Sequence, residues 1–217
     1  MLSIKDSLTW HLRLFTLFAK SRNLATLFVT AVLSSGASAL MPQVLSEVPI
    51  ITTTNTVVPL LVAPAIAICF WTFCVPSASS ELEKFIPRRR IGALHAAWYL
   101  GSTTVILLFL LAPIWLLRPI AGAELVLIRN ALLAIAIACV CGQLLSQRVS
   151  WLPLFIYTLA SWVFGTRDES ASPAIWAFFN YPVTSLTVGL IAVLTWLVVG
   201  IWYCLHPLPQ RETAITQ

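Results

Sequence analysis

The sequence predicts an all-α, polytopic integral membrane protein with six transmembrane helices. An amphipathic interfacial helix precedes them, and both termini are expected in the cytoplasm. Three observations carry this expectation. First, 59% of the 217 residues are hydrophobic and only 10% are charged, with a mean hydropathy of +0.90. A soluble domain carries about 45–50% apolar and about 25% charged residues, and a disordered chain is more polar still. Second, the apolar runs are continuous rather than alternating, which excludes a transmembrane barrel. A spanning helix needs about 20 mostly apolar residues, and allowing for connections the chain has room for six. Third, the cations collect on alternate connections between those runs.

Residues 1–22 form the first unit. Ile4, Leu8, Leu12, Phe15 and Ala19 share one helical face, while Lys5, Thr9, Arg13, Thr16 and Lys20 share another. That is an amphipathic helix with cations on its polar side, and such a helix lies in the headgroup region. Residues 23–205 are the six-helix transmembrane domain. The first span is residues 23–41, with the small residues Ser34, Ser35, Gly36, Ala37 and Ser38 suited to close helix packing. A mixed loop leads to the second span, 57–75, which carries Pro59 and Pro64. The most highly charged segment, 76–90, comes next. The third span is 91–112, its exit marked by Pro113, Trp115 and Pro119. The fourth is 125–145, the fifth 150–165 after a short polar turn, and the sixth 185–205. Between the last two, residues 173–181 are apolar and aromatic but too short to cross. Residues 206–217 form a polar cytoplasmic tail. No signal peptide is expected, because the first long uncharged run begins only near Leu24.

Orientation follows from the cations. With the N-terminus inside, the cytoplasmic segments hold Lys5, Arg13, Lys20, Arg22, Lys84, Arg88, Arg89, Arg90, Arg148 and Arg211. Arg118, Arg129 and Arg167 fall outside. The bias fits the positive-inside rule. The net charge of +5 is therefore read as a membrane signal. No basic face with interleaved aromatics suggests nucleic acid.

Chemistry-bearing residues are scarce. The spans contain no Asp or Glu, which argues against a proton- or sodium-coupled carrier. His95 stands one turn into the third span, and Arg129 with Asn130 near the outer start of the fourth. Cys69, Cys74, Cys139, Cys141 and Cys204 all lie in apolar runs without a C-x-x-C pair, as small hydrophobes do. There is no H-E-x-x-H, no G-x-S-x-G and no P-loop. By itself the chain is not expected to be an enzyme, to ligate a metal or to bind a cofactor.

The sharpest local feature is Ser79–Ser80–Glu81–Leu82–Glu83–Lys84–Phe85–Ile86–Pro87–Arg88–Arg89–Arg90. Ser80 with Glu83 fits a capping box, and early acids suit a helix N-terminus. A short cytoplasmic helix ended by Pro87 is expected. Spacing leaves two roles open for it: a solvated turn whose arginines set the topology, or a docking helix for a cytoplasmic partner.

These residues, followed by Ala93–Leu94–His95, resemble the permease subunits of actinobacterial ABC-type exporters. There an E-L-E element, a basic run and a leucine–histidine pair separate the second and third spans. Two further stretches fit the same group. One is Leu127–Ile128–Arg129–Asn130–Ala131–Leu132–Leu133, leading through Gly142 to Trp151–Leu152–Pro153; the other is Trp176 with Pro182 ahead of the last span. Where the family carries a Trp-Pro pair, this chain has Trp176–Ala177 and reaches proline only at Pro182. The resemblance runs from about Leu12 to Pro207.

The resemblance implies a six-helix, type-2 exporter permease in the plasma membrane, paired with a second permease subunit, the same or homologous. It would be driven by a dimer of separate ATPase subunits that hold ATP and Mg. It implies Ser80, Glu81, Glu83, Lys84 and Arg88 as the ATPase-coupling residues. The interfacial helix with Lys5, Leu8, Leu12, Arg13 and Phe15 would lie alongside. It implies that Trp176, Phe179 and Asn180 belong to a re-entrant outer segment capping the pathway. The alternative is a six-helix substrate-binding or partner-binding membrane component without ATP-driven export.

Overall fold

The computed structural model describes residues 88–117, 123–145, 149–164, 174–181 and 185–205, with residues 16–17, 25, 27–33, 35–36, 68–69 and 71–72 before them. Four helices carry the architecture: α1 (Arg88–Leu117), α2 (Ala123–Leu144), α3 (Leu152–Phe164) and α4 (Leu186–Leu205), with a 3-10 turn at Phe178–Asn180 between the last two. No strand occurs among the described residues. Three stretches are long and apolar enough to cross a membrane: Ile91–Pro113, Glu124–Leu144 and Leu186–Leu205. The backbone reason is general. Lipid offers no hydrogen bonds, so a spanning segment must satisfy its own amides, and a helix does so within itself.

α2 is the central helix. Its spanning stretch is 72% buried, against 28% for α4. Ala131, Ala134, Ala136 and Ala138 are fully buried on it, with Leu127, Ile135 and Cys139 beside them. These small side chains let neighbouring backbones come close, and dispersion contacts then replace the hydrophobic drive that lipid cannot supply. α4 covers α2 most extensively, and α1 packs against both. The inner face of α4 is Val188, Ala192, Val199 and Tyr203, at steps of four and seven residues. Its other face exposes Leu186, Leu190, Leu194, Val198, Ile201 and Leu205. In water that apolar face would be a liability, whereas in a bilayer it is the surface that lipid requires.

α1 and α4 meet at three levels. Gly92 approaches the Cys204 carbonyl, His95 stacks on Tyr203, and Tyr99 lies on Gly200. Rising numbers on α1 meet falling numbers on α4, so the two are antiparallel. The earlier part of the chain enters the same core: Leu27, Thr30 and Ala31 are buried on one face of a helical stretch, and Ile68, Cys69, Trp71 and Thr72 are buried beside α1 and the start of α3. Cys69 Sγ donates to the Trp151 carbonyl at 3.8 Å, and Trp71 meets the Tyr99 ring edge-on.

Three boundaries differ from expectation. α1 begins at Arg88, so the arginine run forms its first turn rather than a connection. Cations there oppose the helix dipole, and the membrane-side charge bias outweighs that modest cost. α1 also continues through Pro113 to Leu117. Proline removes one backbone bond and crowds the preceding turn, but Pro113 is buried by neighbours that hold the helix together. Its 30 residues reach about 45 Å, so α1 projects beyond a hydrocarbon core of about 30 Å. α3 deviates the other way. Its 13 residues reach only about 20 Å, short of a full crossing.

Candidate functional site

The shortness of α3 creates a structural problem. Chain that turns back between α3 and α4 carries carbonyls that no long helix satisfies. At membrane depth such groups need partners. Residues 174–181 contain little regular structure: Ala177 N–H donates to the Ala174 carbonyl at 2.9 Å, and Asn180 N–H to Ala177 at 3.0 Å. Side chains of α2 and α3 meet three further carbonyls, those of Trp176, Phe179 and Tyr181.

Arg129 and Asn130 on α2 make the principal contact. Both are buried, at 7% and 1% exposure. The Arg129 Nη2 donates to the carbonyls of Tyr181 at 2.8 Å and Phe179 at 3.2 Å. Asn130 Nδ2 donates to the same Phe179 carbonyl at 3.2 Å. Asn130 Oδ1 in turn accepts from Arg129 Nε at 3.1 Å and Nη2 at 3.0 Å. The two adjacent residues thus brace each other and fix the guanidinium plane. Five donors in a rigid fork let one arginine serve several acceptors at once.

α3 holds the other side. The Tyr157 hydroxyl donates to the Trp176 carbonyl at 2.9 Å and accepts the Phe178 N–H at 3.3 Å. Asn180 Nδ2 donates to the Ser161 carbonyl at 2.6 Å. Phe179 seats its ring edge-to-face with Tyr157, centroids 5.1 Å apart, and is buried. Phe178 stacks on Tyr181. The tip of the segment, Ile175 and Trp176, stays exposed. The result is a polar lattice that welds a non-helical segment to α2 and α3 while presenting an aromatic tip.

A second cluster joins α1 to α4. Tyr99 stacks on Trp196 at 5.4 Å, and its hydroxyl donates to the Trp196 carbonyl at 3.0 Å. Tyr203 tilts against Tyr99 and stacks on His95 at 4.9 Å. His95 is buried in this aromatic packing.

The sequence-predicted residues divide accordingly. Trp176, Phe179 and Asn180 come together with the Arg129–Asn130 pair and Tyr157. Arg88 opens α1. Ser80, Glu81, Glu83 and Lys84, and Lys5, Leu8, Leu12, Arg13 and Phe15, lie outside the described residues. Sequence reading missed Tyr157 and the pairing of Asn130 with the 174–181 carbonyls. The available signal was an Arg-Asn pair inside an apolar run, because such residues are retained there only with partners. It also missed the Tyr99 cluster, whose signal is aromatic spacing: His95 and Tyr99 four apart on α1, Trp196 and Tyr203 two turns apart on α4. Among the described residues, no three His, Cys, Asp or Glu side chains gather to hold a metal ion. The arrangement holds the 174–181 segment in place on α2 and α3. The chain matches no protein-family model, no curated protein and no solved structure.

Proposed function

We propose that the chain is the membrane-spanning permease subunit of an ATP-driven ABC exporter. In this reading it has six spans, lies in the plasma membrane with both termini cytoplasmic, and pairs with a second permease subunit. A dimer of separate ATPase subunits binds ATP and Mg, and the cargo is amphiphilic. The observation that carries the reading is the segment 174–181, pinned through its own carbonyls by Arg129, Asn130 and Tyr157. A short, braced, non-helical segment ahead of the last helix is the form expected of a re-entrant outer cap. The resemblance of residues 79–95 to exporter permeases supports it. So does the lack of carboxylates in the predicted spans, which leaves the chain to borrow its energy.

The test is coupling. An ATPase should co-purify with the full chain from its native cells. Reversing Glu81 and Glu83 to Lys should remove substrate-stimulated ATP hydrolysis while membrane insertion and yield stay unchanged. Normal coupling in that double variant, or a purified chain that holds its ligand alone, favours a binding component without ATP-driven export.

A further inference from the structure

Tyr99 and Gly200 fit each other as a hook fits an eye. A Cβ added at Gly200 would stand 2.6 Å from Tyr99 Cε1 and 3.1 Å from Cδ1, closer than side chains tolerate. The ring therefore lies directly on the α4 backbone, and only glycine leaves room for it. From that position its hydroxyl reaches one turn back to the Trp196 carbonyl at 3.0 Å. The ring is held on its faces and edges by Trp196, Tyr203 and Trp71. One turn or two nearer the cytoplasmic end, His95 stacks on Tyr203, and Gly92 sits 3.3 Å, measured from its would-be Cβ, from the Cys204 carbonyl. Three successive levels thus interlock α1 with α4 over the same stretch. Sliding one helix along the other by a turn would drive Tyr99 from Gly200 onto Trp196 or Cys204. Close-packed interfaces of this kind move between discrete positions or move as one body; they do not deform smoothly.

We propose that α1 and α4 form one rigid arm, locked by Tyr99 over Gly200, that carries movement between the cytoplasmic end of α1 and the outer segment at the N-terminal end of α4. The arm itself stands on the geometry above. Its role in a transport stroke rests on the permease reading. The two ends it joins are the arginine turn at Arg88 and the chain leaving Tyr181, which the Arg129 lattice holds. A push on α1 thereby reaches the 174–181 segment through α4.

The experiment measures distances in the full chain in lipid nanodiscs. Spin labels are attached through an unnatural keto amino acid, because the chain has five cysteines of its own. The pair at Ala97 and Ile201, both exposed, spans the arm. Each is also measured against Leu159 on α3, likewise exposed. The expected Ala97–Ile201 distribution is a single narrow peak. Tyr99→Ala should split or broaden it, and Tyr99→Phe, which keeps the ring on Gly200, should not. With an ATPase bound and nucleotide trapped, both distances to Leu159 should shift while Ala97–Ile201 holds. A broad Ala97–Ile201 peak in the unaltered chain, indifference to Tyr99→Ala, or a change in that distance on trapping would overturn the arm. Absence of any associating ATPase would sink the permease reading and leave the narrow peak and its response to Tyr99→Ala to decide the arm. Should Tyr99→Ala fail to fold, Gly200→Ala forces the same separation with one added carbon.

Discussion

Arg129 shows how one side chain can hold an irregular segment in place. Its value lies in geometry: the guanidinium reaches two carbonyls from one nitrogen while Asn130 keeps it in plane. A lysine would supply a point charge without the fork and could not serve both acceptors in the same plane. Truncation leaves the Tyr181 carbonyl without its donor, and an unpaired buried carbonyl costs about 1–3 kcal/mol. Arg129→Ala should therefore lower the thermal stability of the chain in nanodiscs by that order. It should also raise proteolytic cutting within 174–181. Unchanged cutting with lowered stability would mean that Arg129 serves the core and not the segment. The arginine was visible in the sequence as an expensive residue in an apolar run. Its partners were not, because they are backbone carbonyls some fifty residues away, and every residue has one.

Helix existence was legible at the scale of elements; helix role was not. α2 and α4 are nearly indistinguishable as apolar stretches, both long enough to cross. One is wrapped by neighbours and the other turns half its surface outward. The alanine-rich content of α2 is a readable trace of that difference, since small residues mark close packing. The consequence is measurable. Leu194 lies mid-way along α4 on the exposed face, and an arginine there meets lipid, at about 2.5–3.5 kcal/mol on insertion scales. Leu194→Arg should lower insertion of this helix in a glycosylation-mapping assay while leaving the α2 contacts intact. Ala134→Leu on α2 should do the opposite, inserting normally but overpacking the core. The fifth expected span, 150–165, matches α3 within two residues at each end, but 13 residues fall short of a crossing. Its apolar run ends at Phe164, ahead of Gly165, Thr166, Arg167 and Asp168, and Tyr157 and Ser161 on it hold residues 174–181.

For the whole molecule the governing quantity is the placement of charge. Arg88, Arg89 and Arg90 occupy the first turn of α1, an awkward place for cations by the helix dipole. Their placement makes sense as a topology signal for the longest helix among the described residues. Replacing all three with Gln should yield a mixed population of orientations, read as reactivity of exposed positions such as Leu116 and Leu205 towards an impermeant label after cysteine substitution. Retention of one orientation would show that the other cations suffice.

The sequence by itself indicated a helical membrane protein, placed α1, α2 and α4 within a few residues, and showed that charge is scarce within them. Those properties are sums over residues and their solvent, so composition and periodicity report them directly. Only the tertiary structure decided that α2 is central, that α1 and α4 are hooked together at Tyr99 and Gly200, and that Arg129 belongs to the 174–181 segment. Those are pairings between distant positions. They depend on which surfaces meet when helices pack, and in lipid that choice is made by shape and a few hydrogen bonds rather than by hydrophobicity, which every helix here has in excess.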